Sequence, residues 1–353
     1  MSASIPMSSR TLPNRSRPYL PLQSFRRLAV RALPVLAALP LIFAAGCGNS
    51  ASSPSAQASS KAGGKGKPTI ALVMKSLAND FFKTMQDGAE KHHKEHVTDY
   101  ELITNGIVNE SDVSNQAEMV DEMIAQKVDA IVIAPADSKA LVPVCKKAQD
   151  AGIVVVNIDN KLDADALKEK GASIPFVGPD NRKGAKMVGD YLAKQLKPGD
   201  EVALIGGLPG AFNGAQRQLG FEDAMKEARA KIDTSQAADW DTGKANSIVA
   251  AILPRYPKLR AILCANDSMA LGAVSALSAA NRSGVLVAGF DNIAAVQQLI
   301  KEGKVLCTAD QHADRIAANG IDYALEIFHK RTTPADKELP VDLINAKTLA
   351  GAK

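Results

Sequence analysis

Cysteine is scarce in this 353-residue chain. There are four, Cys47, Cys145, Cys264 and Cys307, and none forms a Cys-x-x-Cys pair, so a zinc site is not indicated. The last three lie in apolar stretches and read as small buried hydrophobes; an odd number cannot pair fully within one chain. Catalytic motifs are missing as well. There is no Gly-x-Ser-x-Gly, no His-Glu-x-x-His and no Cys/His pair in motif context, so the sequence does not read as an enzyme and no cofactor or metal is expected. Aromatic residues make up only 4% of the chain, with one tryptophan, Trp240. His92 and His96 share a helical face, but they sit among Lys91, Lys94 and Glu95 and read as a solvated surface. Gly206-Gly207-Leu-Pro-Gly210 follows an apolar run but lacks the spacing of a dinucleotide loop.

Acidic residues are absent from positions 1–46, which carry six arginines. The formal net charge is +4, and subtracting those six leaves −2 for the remainder. A mildly acidic body has no reason to hold a polyanion, so no nucleic-acid partner is expected. The basic segment ends at Arg31. The apolar run Ala32 to Ala45 follows, interrupted by Pro34 and Pro40, and is too short to span a bilayer comfortably. It closes on Ala44-Ala45-Gly46-Cys47, which resembles a bacterial lipobox, with Ala44 where leucine is commoner. Residues 1–46 are therefore read as a lipoprotein signal peptide and Cys47 as the lipidation site, with an ordinary secretory signal as the plainer alternative. The protein is expected to be exported, in the periplasm or cell envelope, and anchored by lipid to a membrane. Residues 47–67 are rich in Ser, Ala and Gly and read as a flexible tether; Gly63-Gly64-Lys65-Gly66-Lys67 has no strand before it and is no phosphate loop. No second apolar run is long enough to cross a membrane.

From Pro68 onward, β-branched runs alternate with amphipathic segments. Strands are expected at Thr69–Met74, Tyr100–Thr104, Ala130–Ala134, Ile153–Ile158, Glu201–Gly206, Arg260–Ala265, Val285–Phe290 and Val305–Ala309. Helices are expected between them, for example at Asp80–His96, Asp112–Gln126 and Lys139–Ala151. The strands are continuously apolar, as parallel strands covered on both faces are. The halves echo each other. Ile70-Ala-Leu-Val73 matches Val202-Ala-Leu-Ile205 at an offset of 132, Ile153 to Asn160 matches Val285 to Asn292 at 132, and Ala130 to Ala134 matches Ala261 to Ala265 at 131. The fold class is therefore α/β, with two similar doubly wound parallel-sheet lobes.

In open parallel sheets ligands bind beyond the carboxyl ends of the strands. Two such sheets facing each other enclose one cleft. It should be lined by Lys75 to Phe82, Pro135 to Ser138, Asp159 to Lys161, Gly207 to Arg217, Asn266 to Ser268, Asp291, and Asp310 to Gln311. The candidate ligand-binding residues are Lys75, Asn79, Phe81, Phe82, Asp137, Asp159, Lys161, Arg217, Trp240, Asn266, Asp291 and Gln311. Carboxylates and amides suit vicinal hydroxyls, and aromatic rings suit the C–H faces of a pyranose. Duller roles compete. Asp159 and Asp291 could be turn formers or caps, one of Phe81 and Phe82 should belong to a core helix, Asn266-Asp267-Ser268 reads as a capping segment, and Trp240 is as well suited to a core as to stacking.

Lys75-Ser-Leu-Ala-Asn-Asp-Phe-Phe82, Asp159-Asn-Lys161, Arg217-x-x-Gly-Phe221, Ala238-Asp-Trp-Asp241, Cys264 to Gly272, Gly289-Phe-Asp291 and Gln311 together resemble the periplasmic sugar-binding proteins of ABC importers, in their ribose- and allose-binding branch. The resemblance runs from Thr69 to the C-terminus. It implies two Rossmann-like lobes joined by three hinge crossings, near Gly178–Asp180, at Asp310–His312 and near Val341–Asp342. The lobes would comprise 68–178 with 312–341, and 179–311 with 342–353. It further implies that Asn79 bonds hydroxyls, that Phe81 and Phe82 flank one sugar face and Trp240 the other, and that Asp159, Arg217, Asn266, Asp291 and Gln311 complete the polar shell. Ala134 and Asn160 stand where ribose binders typically carry Asn and Arg, whereas Lys75, Lys161 and Trp240 match the allose-type pattern. A hexose or a polyol of similar size is the implied ligand, an ABC permease the implied partner, and a monomer the implied state.

Three rivals follow from the same features. A repressor of this fold would need a helix-turn-helix in the first sixty residues, where a signal peptide and tether are read instead. A sugar-modifying enzyme would need an acid/base or nucleophile motif. A binding protein serving a sensor or chemotaxis system, or one taking a non-sugar ligand such as an autoinducer, leaves the same signature as a transport protein.

Overall fold

The structure, a computed structural model, describes residues 66–331 and 335–351. The expected signal peptide, Cys47 and the tether up to residue 65 lie outside the described residues. In chain order the elements are β1 (Thr69–Met74), α1 (Asp80–Glu95), β2 (Glu101–Gly106), α2 (Val113–Gln126), β3 (Ala130–Ile133), α3 (Val142–Asp150), β4 (Val154–Ile158), α4 (Ala164–Glu169), β5 (Phe176–Pro179) and α5 (Asn181–Ala193). There follow β6 (Glu201–Gly206), α6 (Phe212–Glu227), β7 (Lys231–Ala237), α7 (Thr242–Ile252), β8 (Leu259–Cys264), α8 (Asp267–Ala279), β9 (Leu286–Ala288), α9 (Ala294–Lys301), β10 (Cys307–Asp310), α10 (Ala313–Lys330), β11 (Lys337–Leu339), β12 (Asp342–Asn345) and α11 (Ala346–Gly351).

These strands form two sheets of one design. The first runs β11-β5-β4-β3-β1-β2 and the second β12-β10-β9-β8-β6-β7. Within each, the first five strands follow the doubly wound order 2-1-3-4-5, which reverses beside the first strand and opens a crevice at the strand ends there. All pairings are parallel except β10 with β12, which is antiparallel. The central strands are buried along nearly their whole length, as their apolar runs require, while the edge strands β2 and β7 are half exposed.

The chain passes between the sheets three times. After Pro179 it leaves the first sheet for α5, which packs on α6 and on β9 and β10. After Asp310 it returns through α10, which packs on α1, β3 and β4. Finally β11 pairs with β5 and, two residues on, β12 pairs with β10. His312 sits at the second passage with φ 55° and holds Asp342 of the third, Nε2 to Oδ2 at 2.9 Å.

Polar side chains fix the strand ends. Gln116 of α2 is buried; its amide donates to the carbonyls of Met74 and Ala134 and its oxygen accepts from the Ala136 N–H. Asn157 ties the turn after β4, donating to the Asn160 carbonyl and accepting from the Leu162 N–H. In the second sheet Asp267 accepts from Thr308 Oγ1 at 2.7 Å and from the Ile293 N–H at 2.9 Å. Cys145, Cys264 and Cys307 are free and buried, and burial pushes the Cys145 thiol up to about 12.

Candidate functional site

Helices α1, α2, α4, α5, α7 and α8 each begin behind a strand on an Asn or Asp whose side chain caps the first turn, and this chemistry gathers polar groups near the strand tips. Asn79 Oδ1 accepts from the Phe81 N–H at 3.1 Å and starts α1; Asn266 Oδ1 accepts from the Met269 N–H at 2.9 Å and starts α8. Asp112, Asp163, Asp180 and Asp241 do the same for α2, α4, α5 and α7.

Between the two sheets' tips lies a small, tightly packed pocket. From the first sheet it is lined by Lys75, Asn79, Phe81, Phe82, Glu110 and Asp159, and from the second by Asn213, Arg217, Trp240, Asn266, Asp291 and Gln311. Ten of the twelve residues singled out from sequence are brought together here.

Two are not. Asp137 turns away, and its Oδ1 accepts from the N–H groups of Lys139 and Ala140, 2.8 Å each, closing the turn before α3. Lys161 reaches outward to pair with Asp336 and lies 5.5 Å from the Phe176 ring centroid. Local partners hold both side chains, so neither reaches the pocket.

The wall residues are charged and nearly dry. Lys75 Nζ lies 3.3 Å from Asp159 Oδ2, with both side chains 2% exposed, and is 5.6 and 5.7 Å from the ring centroids of Phe82 and Trp240. Arg217 is clamped from several directions. Its Nε donates to Asn181 Oδ1 at 2.8 Å, its Nη1 donates to the Ala265 carbonyl at 2.9 Å, and its guanidinium carbon stands 3.9 Å from the Phe290 centroid. The same Nη1 is 3.6 Å from Asp291 Oδ1, which also accepts from Gln311 Nε2 at 2.7 Å. Burial pulls the Arg217 guanidinium below its usual range and holds the Asp291 carboxyl well above its own, although Arg217 opposes the latter shift.

The repeat-related Asp159 and Asp291 both have positive φ, 60° and 127°. Trp240, at φ 66°, shares this conformation, which costs a non-glycine residue free energy and recurs at functional sites. Trp240 is 5% exposed, so packing and pocket wall are one role here. Its six-membered ring lies so close to Gly207 that a Cβ there would fall 2.1 Å from Cη2. Phe81 and Phe82 both line the pocket, meeting edge to face at 5.1 Å between centroids. Asn266 both caps its helix and lines the pocket, so the two roles fall on one residue.

Glu110 and Asn213 were not singled out from sequence. Glu110 follows β2, whose polar end hides a strand tip; the carboxylate accepts from Asn79 Nδ2 at 2.7 Å, and burial pushes it up to about 6 while Lys75 and Asn79 pull it down. Asn213 stands in the first turn of α6, inside a segment expected at the cleft.

Four buried polar atoms of the pocket make no hydrogen bond: Asp159 Oδ2, Arg217 Nη2, Trp240 Nε1 and Gln311 Oε1. Asp159 Oδ2 has only its ion-pair contact to Lys75. Two of the four are acceptors and two are donors, and a hydroxyl group answers both kinds at once. Elsewhere His92 pairs with Asp322 and Tyr100 and stacks on His96, and no group of three or more metal-ligating side chains occurs among the described residues.

Known proteins share this architecture. The periplasmic binding protein domain family matches residues 70–331. A D-ribose/D-allose-binding protein of Pseudomonas aeruginosa is 55% identical over 285 residues, 79% of this chain and 89% of its own length. The D-allose-binding periplasmic protein of Escherichia coli is 33% identical, over 78% of this chain and 90% of its own. Among solved structures, an ABC transporter solute-binding protein from Burkholderia multivorans is 54% identical with a TM-score of 0.78, covering 79% of this chain and all of that one. One from Actinobacillus succinogenes with bound D-allose is 36% identical with a TM-score of 0.75, covering 81% of this chain and all of that one. Fold, pocket position and these likenesses agree: the chain belongs to the periplasmic binding protein family, alongside the solute-binding proteins of ABC transporters.

Proposed function

We propose that this protein binds one monosaccharide between its lobes and presents the closed form to an ABC permease. The observation that carries the reading is the set of four unpartnered buried atoms, two donors and two acceptors, in a pocket walled by Phe81, Phe82 and Trp240. Hydroxyls satisfy the atoms, and the C–H faces of a sugar ring pack on the aromatics. Lys75 and Trp240 favour an allose-like hexose, or a polyol of that size, and the allose-bound relative supports the same class. The ligand-binding residues are Lys75, Asn79, Phe81, Phe82, Asp159, Arg217, Trp240, Asn266, Asp291 and Gln311, with Glu110 and Asn213 added.

Closure follows from geometry. Only when the lobes meet does a ligand touch both, so the ligand stabilises the closed form by its differential contacts. The lobes divide as 68–178 with 312–341 and 179–311 with 342–353; membership of β11 in the first sheet and β12 in the second supports that division. One chain supplies both walls of the pocket, which supports a monomer as the working unit. It acts outside the cytoplasm, and the Ala44-Ala45-Gly46-Cys47 signal supports a lipid anchor on Cys47 that keeps it beside its permease.

The test is a thermal-shift screen of the mature protein against pentoses, aldohexoses, ketohexoses and polyols. A sugar at 100 times its Kd adds about 2.7 kcal/mol of stability. The largest shift is expected with D-allose, and no shift with any of these compounds would overturn the reading.

A further inference from the structure

A cluster of direct contacts joins the two sheets' loops beside the pocket. The Ser138 N–H, after β3, donates to the Gly210 carbonyl, after β6, at 3.0 Å. Ser138 Oγ accepts from the Phe212 N–H at 3.0 Å, and Asn160 Oδ1 accepts from the Asn213 N–H at 3.0 Å. Ser138 is 5% exposed and Asn160 is fully buried, and neither lines the pocket. Asn160 is held from behind, its Nδ2 donating to the Pro135 carbonyl at 2.8 Å and its own carbonyl accepting from Asn157.

The donors at Phe212 and Asn213 are the first N–H groups of α6, which no intrahelical carbonyl can satisfy. Ala211 precedes them and offers no side-chain cap. The first lobe supplies the cap instead: Ser138 and Asn160 do for α6 what Asn79 and Asn266 do within their own lobes for α1 and α8. The approach is close enough that a Cβ on Gly210 would stand 1.9 Å from Asp137 Oδ2.

We infer that Ser138 and Asn160, with the Gly210–Asn213 backbone, form a latch that caps α6 across the cleft and holds the lobes together independently of the ligand. The inference rests on the closure reading above. These are positioning residues: they act on the closed form and not on the sugar. Because the contacts exist only when the lobes meet, they stabilise the closed form and slow its opening.

The experiment follows binding by stopped flow, with D-allose and D-ribose as probes, for wild type, Ser138→Ala and Gly210→Val. Loss of the cross-cleft acceptor at Ser138 is expected to speed dissociation about tenfold. Gly210→Val is expected to weaken binding further and to leave the sugar-bound protein less compact in small-angle scattering. Equal dissociation rates for wild type and Ser138→Ala would overturn the latch. If the wild type binds neither of these two sugars, ligand-free scattering decides the latch alone. A larger radius of gyration in Gly210→Val then supports it, and an unchanged one overturns it.

Discussion

Asp291 concentrates several costs in one side chain. It is buried, its backbone stands at φ 127°, and its carboxyl is pushed up by desolvation. Arg217 and Gln311 offset part of this, and a donor from a sugar hydroxyl would offset more. Asp291→Asn is therefore expected to weaken sugar binding about 100-fold, by the strength of charged hydrogen bonds, while the ligand-free fold survives; calorimetric titration with D-allose checks it. Wild-type affinity in this variant would remove Asp291 from the site. Glu110 raises a different question, that of pH. Its carboxyl titrates near 6 in the fold, against an ordinary value of 4.5, so the folded state holds the proton more tightly than the unfolded chain. Ionising it costs stability as pH rises from about 4.5 through 6, and Asp267, pushed by burial to about 7 from an ordinary 3.8, adds a loss that continues up to about pH 7. The ligand-free melting temperature should fall between about pH 4 and pH 7, and Glu110→Gln should flatten the part of that slope below pH 6 in scanning calorimetry. The two Asp residues were visible in the sequence because the repeat marks them. Glu110 was not, because its strand lies at a polar edge, and the misplacement of Asp137 and Lys161 arose from local partners that a strand-end rule does not weigh.

At the scale of the element, Gln116 shows how a helix sets a strand tip. One side chain on α2 answers two carbonyls and one N–H at the ends of β1 and β3. Gln116→Met keeps the volume and orphans all three groups, so a loss of about 3 kcal/mol is expected in urea unfolding. A smaller loss would mean that water reaches those groups. The same scale explains which elements periodicity found. The apolar runs that became β1 and β6 keep their expected ends. Four strands escaped. β5 ends in Gly-Pro, β7 is a polar edge strand, β11 has three residues, and β12 pairs antiparallel at the rim. β7, β11 and β12 lack continuous burial, and β5, though buried throughout, is only four residues long and ends its apolar run at Gly-Pro. The expected strand Val285–Phe290 shrinks to β9, three residues.

The whole molecule gathers its polar groups from both lobes onto one closed surface, and affinity then depends on how readily the lobes meet as much as on what they touch. Twin topology was legible from the repeat, because three matched strands at nearly one offset leave little freedom for a different fold. How the lobes cap one another was not, since contacts such as Ser138 with Phe212 join residues far apart in sequence and follow no motif.

The order of passages also bears on how the chain is made. The first sheet needs β11 at its edge, and α10 must cover β3 and β4, yet both come after the entire second sheet up to β10. During synthesis the leading half cannot complete its sheet until roughly residue 340 has emerged. A polypeptide built this way stays loose for most of its translation, which suits one that must thread a secretion channel before it folds.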